Sequence, residues 1–550
     1  MKTLLLVPIL LVAIILLPAC RNESKEEDVS IFRYNEPAGI TSLDPAYARN
    51  LSNIWATNQI FNGLVQLDDQ LQIQTCIAED WDISEDGLIY TFHLRDDVYF
   101  HHDEMLSGSR GRKVRAEDFA FSFNRIQDPA TASPGAWVFQ AVARDKSGRL
   151  DVKAIDDTTL QIRLSEPFPP FLGILSMPYC AVVMPEAVVR YGEDFRQHPV
   201  GTGPFRFKYW KEGMKLVLRR NPYYFEYLDG KQLPFLEAVS ITFVIDRQAA
   251  FLEFIKGNLD FMSGIDPSYK DELLTPEGKL RPKYEGQVVL TMQPYLNTEY
   301  LGFLIERGNP AVSASPYLDV RLRKAMNLGF DRHKMIRYLR NNIGTPGTGG
   351  FIPKGLPGFD SLSAIGYDYD PQQSERLLAE AGYPGGKGLP DITLVTSPEY
   401  LDICKYVQHQ LNDIGIPMRI EVTPPAALKE MRAQARLPFY RGSWIADYPD
   451  AENYLSVFLS RNFSPQGPNY SRFSSPEFDG LYQLAMKETS NPLRAELYHR
   501  MDSLLMDASP VMILYYDMVL RFTSTRVKGL GSNPINMLSL KRVYKLKDQE

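Results

Sequence analysis

The sequence predicts an α/β protein, and three observations predict it. Segments of period-two hydrophobic alternation are interleaved with segments of helical period from one end of the chain to the other. No repeat with a period of about 20–50 residues is visible, which argues against solenoids and propellers. At 550 residues the chain can bury several hydrophobic cores, so two or three domains are expected.

Taken in order, residues 31–34 (IFRY) read as a strand, residues 38–45 (AGITSLDP) as a loop, and the run through Trp55 and Ile60 as a helix. Leu88, Tyr90, Phe92 and Leu94 alternate with Ile89, Thr91, His93 and Arg95, which makes a half-buried strand. The loop at 100–115 carries Arg110, Arg112, Lys113 and Arg115, and short charge runs of this kind are expected to be solvated surface. His93, His101, His102 and Asp103 are metal-ligating residue types, but a strand and its turn do not enforce a site, so no metal is expected. A helix at 116–126 turns Phe119, Phe123 and Ile126 to one face, and Leu160, Ile162 and Leu164 form another alternating strand, stopped by prolines at 165–170.

Residues 199–205 (PVGTGPF) combine two glycines with Pro204 in an unusual turn. The segment lacks the Lys-Ser/Thr ending of a phosphate loop and opens no helix. Leu216 and Leu218, then Val239, Ile241, Phe243 and Ile245, read as sheet strands, and residues 251–256 as a short helix stopped by Gly257. The helix at 319–328 points Leu322, Ala325 and Met326 inward. Asp370 caps the next helix, with Pro371 in its first turn, Gln373 closing a capping box, and Gly382 with Pro384 ending it. Another helix follows at 401–411, Ser475-Pro476 and Asn491-Pro492 each open a late helix, and residues 511–516 (VMILYY) are a strand.

The N-terminus addresses the chain. Lys2 precedes an apolar run at 4–19, short for a membrane span and matched to the core of a signal peptide. It ends in LPAC at 17–20, which resembles a bacterial lipobox: residues 1–20 are the lipoprotein signal, and Cys20 is lipidated as the new N-terminus. Residues 21–29 are polar and read as a tether. An ordinary cleaved secretory signal is the alternative, and both place the protein outside the cytoplasm. Cys76, Cys180 and Cys404 remain; three cysteines make no disulfide framework and are expected as buried thiols.

Composition narrows the function further. The chain is 44% hydrophobic and 23% charged, ordinary for a globular protein, and its net charge of −7 gives no sign of nucleic-acid binding. There is no zinc-like cysteine spacing, no Walker loop and no G-x-S-x-G, and none of the seven histidines sits in a recognisable catalytic motif. No catalytic residue, cofactor or metal is expected.

Residues 441–454, RGSWIADYPDAENY, concentrate unlike side chains. Residues 443–446 read as a short strand and 448–450 as the turn that ends it. Asp447, just past a strand end, is placed to face a crevice and accept hydrogen bonds from a cation, with Trp444 to exclude water. A plain Asx turn, with Asp447 bonding its own backbone, accounts for the same residues, and local sequence leaves both readings open.

Five segments taken together carry a resemblance. WIADYPD at 444–450, FNGLVQLD at 61–68, AEDWDISEDGLIYTFHLR at 78–95, PVGTGPF at 199–205 and DVRLRKAMNLGFDR at 319–332 resemble the peptide-type solute-binding proteins of ABC importers, family 5. The resemblance covers about residues 30–545. It implies a two-lobed periplasmic-binding-protein fold of the large, cluster C type with an extra domain on the first lobe. The implied map is lobe I at 30–61, 198–294 and 516–545, the additional domain at 62–197 and lobe II at 295–515, with crossings near Pro294 and Tyr515. The implied function is capture of peptides by hinge closure and delivery to permease subunits powered by a separate ATPase. The protein is expected as a monomer tied to the membrane only through its lipid, with no nucleic-acid partner. The alternatives are the same fold binding a sugar, metal chelate or haem, and an extracytoplasmic peptide sensor.

The resemblance also assigns site roles. Asp447 matches the family position that holds a peptide's α-ammonium group, with Trp444, Ile445 and Ala446 as the strand edge beside the peptide. Arg441, six residues earlier, matches an arginine that can meet the carboxylate of a short peptide, with a surface arginine as the alternative. Gly135 falls where relatives can place a ligand-contacting tyrosine, and Pro424-Pro425 where they can place a cleft tryptophan. Either the pocket is wider here, or Trp137 substitutes.

Overall fold

The computed structural model describes residues 30–103, 110–266, 269–313, 315–359 and 365–547. The expected signal at 1–20, lipidated Cys20 and the tether at 21–29 lie outside the described residues. Among the described residues no helix is long and apolar enough to cross a membrane.

One large mixed sheet runs through the molecule. From one edge its strands are Met418–Val422, Ile392–Thr396, Phe439–Ile445, Val288–Phe303, Val511–Ser524, Phe261–Ser263, Ile31–Asn35, Ala238–Thr242, Lys215–Arg220 and Phe205–Lys211. Val288–Phe303 and Val511–Ser524, of 16 and 14 residues, pair antiparallel from Val288 opposite Ser524 to Gly302 opposite Val511. One end of this ribbon pairs with Phe261–Ser263 and the other with Phe439–Ile445. Between Pro294 and Thr298 the register breaks, so that residues 295–297 face Asp517 alone. Such a bulge bends a ladder at a defined place.

The apolar residues collect on either side of that bend. One core holds Phe32, Tyr34, Trp55, Phe119, Leu216 and Val239. Beyond the bend, one core holds Leu301, Phe303, Leu322, Met326 and Phe439, and another Leu296, Tyr300, Phe351 and Tyr454. The protein therefore has two lobes. A second sheet, Ala78–Ile83, Ile89–Leu94, Thr159–Arg163 and Val152–Ala154 in that order, shares the first core through Phe92, Leu160 and Ile162.

Sequence periodicity explains most of these elements. Tyr90, Phe92 and Leu94 point inward from Ile89–Leu94, as their alternation requires. Asp319 caps Val320–Leu328 by accepting from Arg321 N–H, and Asp370 caps Pro371–Glu380 by accepting from Gln373 N–H at 2.8 Å. The glycines of PVGTGPF serve close approach: a Cβ on Gly201 or Gly203 would lie 2.1 or 2.6 Å from the backbone oxygen of Ile60 or Gln59, respectively. Cys76, Cys180 and Cys404 are free and buried.

Other expectations need correction. The strand at 238–242 stops before Ile245, which is 81% exposed, because the Asn35 side chain bonds Val244 and Asp246 caps the helix Arg247–Ile255. Gln373 closes no capping box; its Oε1 accepts from Arg376 Nε at 3.0 Å. Arg112 is not a solvated loop cation: it donates to both oxygens of Asp118 at 2.7 and 2.8 Å and to Glu186. His101 is buried, with Nε2 2.9 Å from the Gly203 carbonyl oxygen, and burial pulls its pKa down to about 4. The helix Val320–Leu328 also buries Arg323, which donates to the carbonyls of Tyr317, Ala508 and Ser509. Arg332 does the same for Ile513 and Asn327. Two cations of the DVRLRKAMNLGFDR segment thus fasten the start of the strand Val511–Ser524.

Candidate functional site

The strand Phe439–Ile445 offers an edge. Its one side pairs antiparallel with residues 297–303, and Ala446 N–H continues the ladder to Leu296 O at 2.9 Å. Alternation along a strand then sends the backbone groups of Arg441, Ser443 and Ile445 to the other side. There the strand Ile392–Thr396 pairs only once, Val395 with Tyr440. Past Tyr440, no strand among the described residues covers that edge. Ile445 is 45% exposed, Trp444 is half-buried and Ala446 is buried.

Asp447 stands at the open end of this edge. It makes no turn on its own backbone. Asn453 Oδ1 instead accepts from Asp447 N–H at 3.4 Å and from Trp444 Nε1 at 3.0 Å, which ties the loop to the strand end. The turn that follows is built by Asp450, whose Oδ1 accepts from Glu452 N–H at 2.9 Å. Glu452, fully buried, accepts from the hydroxyls of Tyr448 and Tyr482. These bonds hold the peptide segment around Asp447 rigid while its carboxylate stays exposed. Desolvation nevertheless raises the Asp447 pKa above its ordinary value, against the lowering by Asn453. The residue as a whole is exposed, while its carboxyl group is partly desolvated and bonded by Asn453.

The first lobe supplies the facing wall. The Trp137 ring lies 6.3 Å from that of Tyr448, and a Cβ on Gly173 would sit 3.6 Å from Pro449. Tyr179, which the sequence did not single out, fills the place of a side chain at Gly135: a Cβ there would lie 2.3 Å from its ring. Burial pushes the Tyr179 phenol up to about 12, and the nearby charge of Asp447 adds to the push. A small residue at 135 beside the aromatic pair Trp137 and Tyr179 is the signal that could have pointed to it. Pro424 and Pro425, in contrast, open the exposed start of the helix Pro425–Ala433 and contribute no aromatic group.

Arg441 lies at the other end of the free edge. It is 9% exposed, its guanidinium is paired with the buried Glu299 carboxylate, and its face lies 3.2 Å from the centroid of the Tyr400 ring. The structure thus strings Asp447, the 444–446 segment and Arg441 along one strand and brings Trp137 opposite its open end.

A partly open cavity of about 110 Å³ lies elsewhere, lined among others by Asn58, Asn62, Gln66, Tyr224, Met537 and Lys541. None of the 441–447 residues lines it. Its one ammonium group, Lys541 Nζ, is already met by Gln66 and Glu226. The strand edge, with an exposed carboxylate and unpaired backbone, is the better candidate for ligand binding.

Comparison with known proteins agrees with this architecture. The family described as bacterial extracellular solute-binding proteins, family 5, middle part, matches residues 72–466. The periplasmic oligopeptide-binding protein of Salmonella typhimurium is 26% identical over 535 residues, covering 93% of this chain and 92% of the relative. Heme-binding protein A of Haemophilus influenzae is 26% identical over 532 residues, covering 94% and 92%. The ABC transporter-associated periplasmic binding protein of Helicobacter pylori, solved in complex with the peptide STSA, has a TM-score of 0.74 at 24% identity, covering 94% of this chain and 98% of that one.

Proposed function

Because the chain belongs to the bacterial extracellular solute-binding proteins of family 5, we propose that it captures peptides outside the cytoplasm and hands them to an ABC importer. The observation that carries this reading is Asp447, an exposed acidic residue at the end of an uncovered strand edge. A peptide has two features independent of its sequence, its backbone and its charged ends. The edge at Ser443 and Ile445 suits backbone addition, with Trp444 and Ala446 holding the strand in place. Asp447 suits the α-ammonium, which needs a partner once lobe closure removes water. Trp137 and Tyr179 close that end from the first lobe.

In this proposal the lobes hinge at the bulge between Pro294 and Thr298 and its partner strand at 516–518. The lobe boundaries set out from the sequence belong to the same proposal, with residues 62–197 as an addition to lobe I. So do the monomeric state, the lipid on Cys20 and the permease with its separate ATPase. The ligand selects the closed form by bonding both walls at once.

The test is native mass spectrometry of the protein from residue 21 onward, mixed with a peptide library and with its N-acetylated counterpart. Peptides retained, and lost on acetylation, support the reading. Peptides retained despite acetylation remove Asp447 as the amine anchor. A second reading, haem as ligand, is favoured by the match to heme-binding protein A; no peptide retained, with haem absorbance acquired on titration, supports it instead.

A further inference from the structure

The far end of the strand edge departs from what a short peptide's carboxylate needs, and this inference rests on the peptide reading above. The edge is bounded. It begins at Asp447 and is closed beyond Arg441 by the strand Ile392–Thr396, whose continuation carries Tyr400 over the guanidinium. Six residues of strand at about 3.3 Å each make about 20 Å. A chain anchored at Asp447 and laid along the edge therefore reaches Arg441 with about its sixth or seventh residue.

Arg441 is not waiting there for a carboxylate. Glu299 is buried opposite it and already neutralises it. Asn297 reinforces the pair: its Nδ2 donates to Glu299 Oε1 at 2.9 Å, which fixes the orientation of the amide. That orientation leaves Asn297 Oδ1 without a hydrogen-bond partner, and Arg441 Nε is unpartnered as well. Both groups are at least nine-tenths buried. Arg441 Nε is a donor, and a neutral carbonyl passing it offers an acceptor without adding charge. A carboxylate would bring a second anion toward Glu299, an unfavourable approach in a buried site.

The geometry points to Glu299 as a built-in substitute for the ligand's carboxylate, so that the site selects amine-terminated chains that are neutral where they pass Arg441. Such ligands are peptides whose backbone continues beyond that point, or that end there in an amide. A free carboxylate at about the sixth or seventh residue gains nothing from Arg441 while Glu299 holds it.

The experiment is calorimetric titration of matched peptides of about six or seven residues, with a free amine and either a free or an amidated C-terminus. Wild-type protein is expected to bind the amide at least about threefold more tightly than the free acid, while N-acetylation weakens binding by about 30-fold or more. Glu299→Gln keeps the side-chain shape and frees the guanidinium charge, so the free acid is expected to gain at least about tenfold over the amide. Equal binding of acid and amide by the wild type, or any loss on amidation, would overturn the inference, as would a folded Glu299→Gln variant without acid preference. Should that variant not fold, the wild-type comparison decides alone. Failure of every free-amine peptide to bind would refute the peptide reading itself, a result distinct from binding that depends on the carboxylate.

Discussion

Replacing Asp447 by Asn removes one charge and keeps the shape of the strand end. Asn453, which bonds the Asp447 carboxyl, can bond an amide in its place while still holding the backbone and Trp444, and the Asp450–Glu452 turn closes independently. Folding should therefore be unchanged. Removing one partner of a buried, hydrogen-bonded charge pair costs about 2–5 kcal/mol. Asp447 remains exposed in the structure, and a solvated partner lowers the cost, so about 2–3 kcal/mol is expected, or about 30- to 160-fold in Kd. The assay is a thermodynamic cycle by calorimetry, with free-amine and N-acetylated peptide against wild type and Asp447→Asn. If the carboxylate and the ammonium meet, acetylation stops mattering in the variant. The pH dependence carries the same logic. Desolvation sets the Asp447 pKa above 3.8, and only the carboxylate attracts an ammonium. Affinity should therefore fall as pH drops through that raised value, earlier than for an ordinary aspartate, and Asp447→Asn should lose this dependence. An unchanged Kd in the variant, or acetylation costing as much in the variant as in the wild type, would refute the assignment.

Three further outcomes concern the framework. Asp502 is fully buried, accepts from Phe351 and Ile352 N–H at 2.7 and 3.1 Å, and burial raises its pKa from 3.8 to about 6. Its folded pKa exceeds the unfolded one, so its contribution to stability is full below about pH 4 and declines by about 3 kcal/mol as pH rises to about 6. Urea unfolding of wild type and Asp502→Asn across that window should show the decline in the wild type alone. Gly135→Ala would place its Cβ 2.3 Å from the Tyr179 ring, an overpacking that should cost about 1–3 kcal/mol and move Tyr179, read by thermal unfolding and near-ultraviolet dichroism. Arg332→Met strips the Ile513 and Asn327 carbonyls of their donors in a buried site, and should lower stability by about 2–4 kcal/mol in urea unfolding.

Elements whose signals are local were legible in the sequence. The alternation at 88–95, the cap at Asp370 and the proline starts at Pro476 and Pro492 each rest on residues a few positions apart, and the structure places strand, cap and helix starts there. Where a side chain had two local options, no local signal decided between them. Gln373 could reach back to its cap or forward to Arg376, and the charged partner took it. Arg323 and Arg332 read as the polar face of a helix because hydrophobic period counts only apolar residues. A buried guanidinium needs carbonyl acceptors instead, and those come from about 180 residues further along.

The candidate site divides in the same way. One wall is a continuous stretch, 441–447, so its strand, turn and exposed carboxylate could be read together. The opposite wall is not continuous. Tyr179 stands where Gly135 leaves room, 44 residues away, and Glu299 meets Arg441 across 142. Neither pairing has a local signature, although a lone glutamate among the apolar residues of Leu296–Phe303 was a hint that a buried cation must exist. The consequence reaches specificity. In the proposed reading, Asp447 sets the near end of the site for the ligand's ammonium, while residue 299 would neutralise or release Arg441 without touching it. Substitutions at this one strand position should therefore switch which C-termini the protein accepts and leave its demand for a free amine intact.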